Sequence, residues 1–133
     1  MKPVFADTFF FLAVLNRNDP WHAKAVQAHR SLRAPWITTA WVVTEVADAL
    51  AEPSFRPRFA EFHASLTANP NVRLIPASQE FFERGIRLFN GRLDKSWSLT
   101  DCISFVAMQD EDITEALTAD HHFQQAGFKA LLL

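Results

Sequence analysis

The sequence predicts an α/β fold, a parallel sheet covered by helices on both faces. Three observations predict it. Short apolar, strand-like runs alternate with helix-length segments along the chain, the pattern of connected strand–helix–strand units. The helical segments are punctuated by cap, proline or glycine signals. No repeat, low-complexity tract, charge block or linker interrupts the alternation, so the 133 residues are expected to form one domain, 1–133.

Taken in order, Val4-Phe5-Ala6 is a short apolar run ending at Asp7. Thr8 to Leu15 follows as a helix apolar nearly all round, hence buried. Asp19-Pro20 is a cap-then-proline start for a second helix. Trp36-Ile37-Thr38 reads as a strand after Pro35, and Ala40 to Ala51 as a helix closed by Pro53. Arg58 to Ala68 is a helix stopped by Asn69 and Pro70, and Val72 to Ile75 is strand-like. Ser78 caps a helix running to about Asn90 with Gly91 behind it, and Ser98 opens another to about Asp110. Ala116-Leu117-Thr118 is a strand, His121 to Ala126 a short helix ended by Gly127, and Lys129 to Leu133 a final apolar strand.

Composition narrows the function classes. Hydrophobic residues make up 49%, enough for a core and too many for a disordered chain. Thirteen Phe and no Tyr imply an interior of rings that need no hydrogen-bond partner. Cys102 is the single cysteine, which excludes an internal disulfide and fits a reducing cytoplasm. The apolar stretch from Phe9 to Leu15 is too short to span a bilayer, and no cleavage-site pattern follows it, so neither a membrane anchor nor a signal peptide is expected. A formal net charge of −2 excludes nucleic-acid binding by global charge; any such binding must use a local basic patch or a bound cation.

Four acids stand out by position. Asp7 and Asp120 each follow a strand-like run, where open α/β sheets form ligand sites. Asp101 lies in the first turn of a helix with apolar side chains on nearly every face, which holds it near the interior. Glu45 shares a polar helix face with Asp48 and Glu52 but lies nearer the apolar boundary set by Trp41, Val42 and Ala49. Each has a structural reading: Asp7 and Asp120 as N-caps, Ser98 and Asp101 as a capping box, Glu45 as part of a solvated face. Their convergence would require more than that. Carboxylates gathered in one pocket repel and raise each other's pKa, and a divalent cation removes the penalty. Hard oxygen ligands suit Mg²⁺ or Mn²⁺, which can polarise and orient a phosphate and acidify a water.

The segments Val4-Phe5-Ala6-Asp7-Thr8, Thr44-Glu45-Val46, Trp97-Ser98-Leu99-Thr100-Asp101-Cys102 and Leu117-Thr118-Ala119-Asp120-His121-His122-Phe123 resemble the PIN-domain family. The resemblance runs from about Phe5 to Leu132, and stand-alone members of this size include the VapC toxins of bacterial toxin–antitoxin pairs. It implies a three-layer α/β/α sandwich on a parallel sheet and Mg²⁺- or Mn²⁺-dependent cleavage of RNA. Asp7, Glu45, Asp101 and Asp120 match the family's four acids, and Thr8 and Thr118 match polar neighbours that support the site. It also implies an antitoxin partner that docks over the site, and a homodimer.

Other residues carry less. His121 and His122 lack the further Cys or His that a zinc site needs and read as exposed helix-start residues. Cys102 on an apolar helix reads as a buried filler. Arg56, Arg58, Arg84, Arg87, Arg92 and Lys95 could reach an RNA backbone, and Trp21, Trp36, Trp41 and Trp97 could stack on bases, though core or interface is the commoner use of Trp. Two other classes compete with the nuclease. A non-catalytic RNA- or protein-binding module of the same fold would be favoured by loss of one acid, and all four are present. A phosphoacceptor receiver domain needs an acidic pair after the first strand, and Asp7 has no acidic neighbour.

Overall fold

The computed structural model describes residues 1–133. Five strands form one sheet: β1 (Val4–Ala6), β2 (Trp36–Thr39), β3 (Val72–Ile75), β4 (Glu115–Leu117) and β5 (Lys129–Ala130). Their spatial order is β3-β2-β1-β4-β5, and every neighbouring pair is parallel. Seven helices connect them: α1 (Thr8–Leu15), α2 (His22–Ser31), α3 (Ala40–Ala49), α4 (Arg56–Ala68), α5 (Gln79–Gly91), α6 (Leu99–Asp110) and α7 (His121–Gln125). The alternation read from the sequence is thus an α/β/α sandwich on an all-parallel sheet. No helix is long and apolar enough to cross a membrane.

The chain steps from β1 to β2 to β3 in one direction, then crosses back over β1 to β4 and β5. Right-handed crossovers therefore place α1 to α4 on one face and α5 to α7 on the other. The packing follows this, with α1 against α2 and α3, α3 against α4, α5 against α6 and α6 against α7, and α3 also reaches across to α6. The reversal of direction makes a switch point beside β1 and β4, and ligand sites of open α/β sheets lie in the crevice at the carboxyl ends of such strands.

β1 is central and fully buried, its Phe5 registered against Ile37 on one side and Ala116 on the other. A strand covered on both faces has no polar side to present, which is why Val4-Phe5-Ala6 is a continuous apolar run. The interior of rings that the missing tyrosines suggest is built in part: Phe5, Phe10, Phe11, Phe105 and Phe123 are buried, whereas Phe55, Phe82 and Phe89 are exposed. Phe105 packs edge-on against Phe123 and Trp97, with centroids 5.0 Å apart in each pair, and Phe10 lies edge-on to Trp36 at 5.3 Å. Burying each such ring contributes about 1.5–3 kcal/mol. Cys102 is fully buried, as its place on an apolar helix implies.

Several boundaries shift for local reasons. Asp19-Pro20 does not begin α2; the Asp19 side chain accepts from Trp21 N–H at 2.8 Å and closes a turn, and the helix starts at His22. Gly91 is the last helical residue of α5 rather than a left-handed stop beyond it. Gly127 is such a stop, at φ +96 just past α7. The final apolar stretch is strand over only Lys129 and Ala130, though the N–H groups of Leu131 and Leu132 still donate to the Ala116 and Thr118 carbonyls at 2.9 and 3.0 Å.

Candidate functional site

Asp7 directly follows β1 and is the N-cap of α1. Its Oδ1 accepts from Phe10 N–H at 3.1 Å, and its Oδ2 accepts from the Thr118 hydroxyl at 2.9 Å. Thr118, just past β4, is completely buried, and its Oγ1 also accepts from Asp120 N–H at 2.9 Å. One hydroxyl thereby fixes the ends of the two central strands relative to each other. Thr38 does the same on the other side of β1, donating to the Ala6 carbonyl at 2.8 Å.

The other acids arrive from three further elements. Asp120 caps α7, its Oδ1 accepting from His122 N–H at 2.9 Å. Asp101 forms the capping box of α6: its Oδ2 accepts from Ser98 N–H at 3.1 Å, and Ser98 Oγ accepts from Asp101 N–H at 3.0 Å. Glu45 projects from α3, and its Oε1 accepts from the Thr8 hydroxyl at 2.5 Å. Asp48, one turn along, is exposed.

The cap reading is therefore correct for Asp7, Asp101 and Asp120, and it is also incomplete. All four acids line one recess of about 260 Å³ at the carboxyl edge of the sheet, and Asp48 does not. The hydroxyls of Thr8, Ser96, Ser98, Thr100 and Ser104 line it too, and no Lys or Arg does. Caps on different helices have no need to meet. The caps engage Asp101 through Oδ2 and Asp120 through Oδ1 and leave the second oxygen of each without a protein partner. A separate apolar cavity of about 90 Å³, lined by Phe10, Phe11, Trp36 and Phe62 among others, contains no carboxylate.

The electrostatics match the crowding. Burial pushes the Asp7 carboxyl up to about 8; the Phe10 N–H and Thr118 hydroxyl oppose this, and the charges of Asp120 and Asp101 add to it. Asp101 is also raised, chiefly by burial and secondarily by Asp120, against the lowering effect of the Ser98 N–H and of His122. Such a pocket lacks positive charge, and its donors are hard oxygens, the set that fits a divalent cation.

His122 departs from the sequence reading. Its ring is mostly buried and lines the recess, with Nδ1 3.1 Å from Asp101 Oδ2 and 3.4 Å from Asp120 Oδ1. Nothing in the sequence marks it: His121 and His122 both follow a helix-capping acid, and the fold decides which ring enters the recess. His121 remains exposed as expected. The basic residues considered for RNA are largely engaged elsewhere: Arg84 makes a bidentate pair with Asp110, Arg92 pairs with Asp94, and Arg56 and Arg58 bond backbone carbonyls. Trp97 and Trp36 are core residues, Trp97 donating to Gln125 at 2.9 Å.

The family model of the PIN domain matches residues 4–129. Among solved structures, the chain is similar to Mycobacterium tuberculosis VapC20, a sarcin-ricin loop cleaving toxin, with a TM-score of 0.85 and 26% identity over 94% of this chain and 95% of that one. It also resembles FitAcB from Neisseria gonorrhoeae, with a TM-score of 0.67 and 17% identity over 96% of this chain and 94% of that one, a likeness of fold. Comparison with curated proteins gives no match.

Proposed function

This chain belongs to the PIN domain family, and from that premise we propose that it is a metal-dependent endoribonuclease, the toxin of a toxin–antitoxin pair. The observation that carries the reading is the meeting of Asp7, Glu45, Asp101 and Asp120 on one recess without a basic side chain. The similarity to VapC20, a toxin that cleaves the sarcin-ricin loop, supports RNA as the substrate class.

In this reading the four carboxylates hold Mg²⁺ or Mn²⁺, which supplies charge neutralisation at a scissile phosphate and acidifies a water. The chain's own part is placement. Phe10 N–H and Thr118 fix both oxygens of Asp7, Thr8 holds Glu45, and the capping box holds Asp101. The reading needs no covalent nucleophile, and the thiol of Cys102 lies outside the recess, buried and pushed up to about 11, chiefly by that burial. Hydrolysis would leave 5′-phosphate and 3′-hydroxyl ends. The protein would act in the cytoplasm, as a homodimer, under the control of a cognate antitoxin.

The test is cleavage of RNA in Mn²⁺ or Mg²⁺, stopped by EDTA. Asp7→Asn and Asp101→Asn keep shape and capping capacity but remove charge. Each is expected to lower the rate by about 100-fold or more, the scale at which single electrostatic groups act in catalysis. Either variant cutting at the wild-type rate with an unchanged circular dichroism spectrum would remove that residue from the centre.

A further inference from the structure

We propose that His122 contributes Nδ1 as a nitrogen ligand to the divalent ion held by Asp101 and Asp120, so that this centre prefers Mn²⁺ to Mg²⁺. The inference rests on the metal-dependent reading above and extends its ligand set beyond the four acids.

The distances are the first argument. His122 Nδ1 is 3.1 Å from Asp101 Oδ2 and 3.4 Å from Asp120 Oδ1, and ligand atoms of all three residues lie within 4.8 Å of one another. The shorter of the two is also a hydrogen-bond contact, Nδ1 to Asp101 Oδ2, and a bound cation would replace it. An octahedral ion with ligands at about 2.1 Å separates adjacent ligand atoms by about 3 Å. The spacing of the three groups is that of one face of a coordination sphere.

The second argument is what the ring faces. Nδ1 faces one oxygen each of Asp101 and Asp120, so a cation seated between them would meet the imidazole nitrogen and both carboxylates at once. Neither Asp101 nor Asp120 has a Lys or Arg partner to fill that role. His121 is the contrast on the same helix, with its side chain 69% exposed and its Nδ1 3.9 Å from Asp120. Imidazole is a good donor to transition metals, whereas Mg²⁺ favours oxygen ligands and retains its waters. Between these two ions, a nitrogen in the set therefore favours Mn²⁺ over Mg²⁺.

The experiment uses tag-free protein loaded with Mn²⁺ and pulsed electron paramagnetic resonance, which detects a directly bound ¹⁴N. Wild type and His121→Gln are expected to show the nitrogen modulation; His122→Gln and His122→Phe are expected to lack it. By calorimetry, loss of His122 should weaken Mn²⁺ binding at least about tenfold, the scale at which even outer-shell partners act, and leave Mg²⁺ binding nearly unchanged, so the preference collapses. Wild-type protein that binds Mn²⁺ without nitrogen modulation would overturn the ligand assignment and leave the nuclease reading standing. Failure of wild-type protein to bind either ion would overturn both.

Discussion

Asp7 occupies the least favourable place for a charge. It is 5% exposed, and its ordinary value of 3.8 rises to about 8. Below pH 4 the folded and unfolded chains both hold the proton. Between about 4 and 8 the unfolded chain releases it and the folded chain keeps it, so in metal-free protein stability falls as pH rises through this window. Asp101, raised in the same direction, adds to the fall. In EDTA, wild type is therefore expected to melt progressively lower from pH 5 to pH 8. Asp7→Asn should lose less over that interval; a difference of about 1 kcal/mol already moves the midpoint by a few degrees. Parallel decline of both proteins would show that Asp7 does not retain its proton. A second contrast separates neighbours on α3. Glu45→Gln should lose most Mn²⁺ affinity and cleavage, whereas Asp48→Asn, altering an exposed group outside the recess, should keep both and shift stability by no more than about 0.5 kcal/mol. The reverse result would move the role to Asp48. At this scale the sequence was informative for acids and poor for His122. An acid at a strand end is costly unless used, so its position is a signal, whereas a histidine after a cap fits either exposure or burial and only the fold decides.

Helices follow the same logic one level up. α1 is apolar all round because it lies under α2 and α3, and its burial is legible from its residues alone. The start of α2 was not, because Asp19 can cap a turn as well as a helix and Pro20 suits both. Nor could the sequence separate the two glycines of α5. Gly85 is buried where α5 crosses α6, and a Cβ there would lie 2.3 Å from Ile103 Cγ1, whereas at Gly91 a Cβ meets nothing within 4 Å. The same substitution is therefore expected to act with opposite signs. Gly85→Ala should destabilise by about 1–3 kcal/mol through overpacking. Gly91→Ala should stabilise by about 0.4–1 kcal/mol by restricting the unfolded chain. Urea denaturation of both variants decides it; equal effects would mean that α5 and α6 do not approach as closely as described.

Across the whole molecule, strand order was the element no single sequence could supply. The periodicity that marks β1 as buried is the same whether β4 or β3 lies beside it. The order β3-β2-β1-β4-β5 gathers Asp7 and Asp120 at the switch point, and the crossing of α3 and α6 over the carboxyl edge adds Glu45 and Asp101. Four carboxylates from four segments make the folded state bind a cation that the unfolded chain cannot hold as well. Millimolar Mn²⁺ or Mg²⁺ should therefore raise the melting temperature, by about 2.7 kcal/mol of added stability at a hundredfold excess over the dissociation constant. A midpoint unmoved by either ion would argue against any cation site in the recess.

The hydrogen bond from Thr118 to Asp7 joins groups 111 residues apart. Synthesis runs from Asp7 toward Asp120, so the first of the four acids is made well before the last. β1 emerges early but lies between β2 and β4, so the sheet stays open on one side until residues 115–117 follow. Asp7 waits without its Thr118 donor and without Asp120. A nascent or stalled chain lacking β4 and α7 therefore carries only part of the recess. Cleavage that needs all four acids would therefore wait until β4 and α7 have joined the sheet.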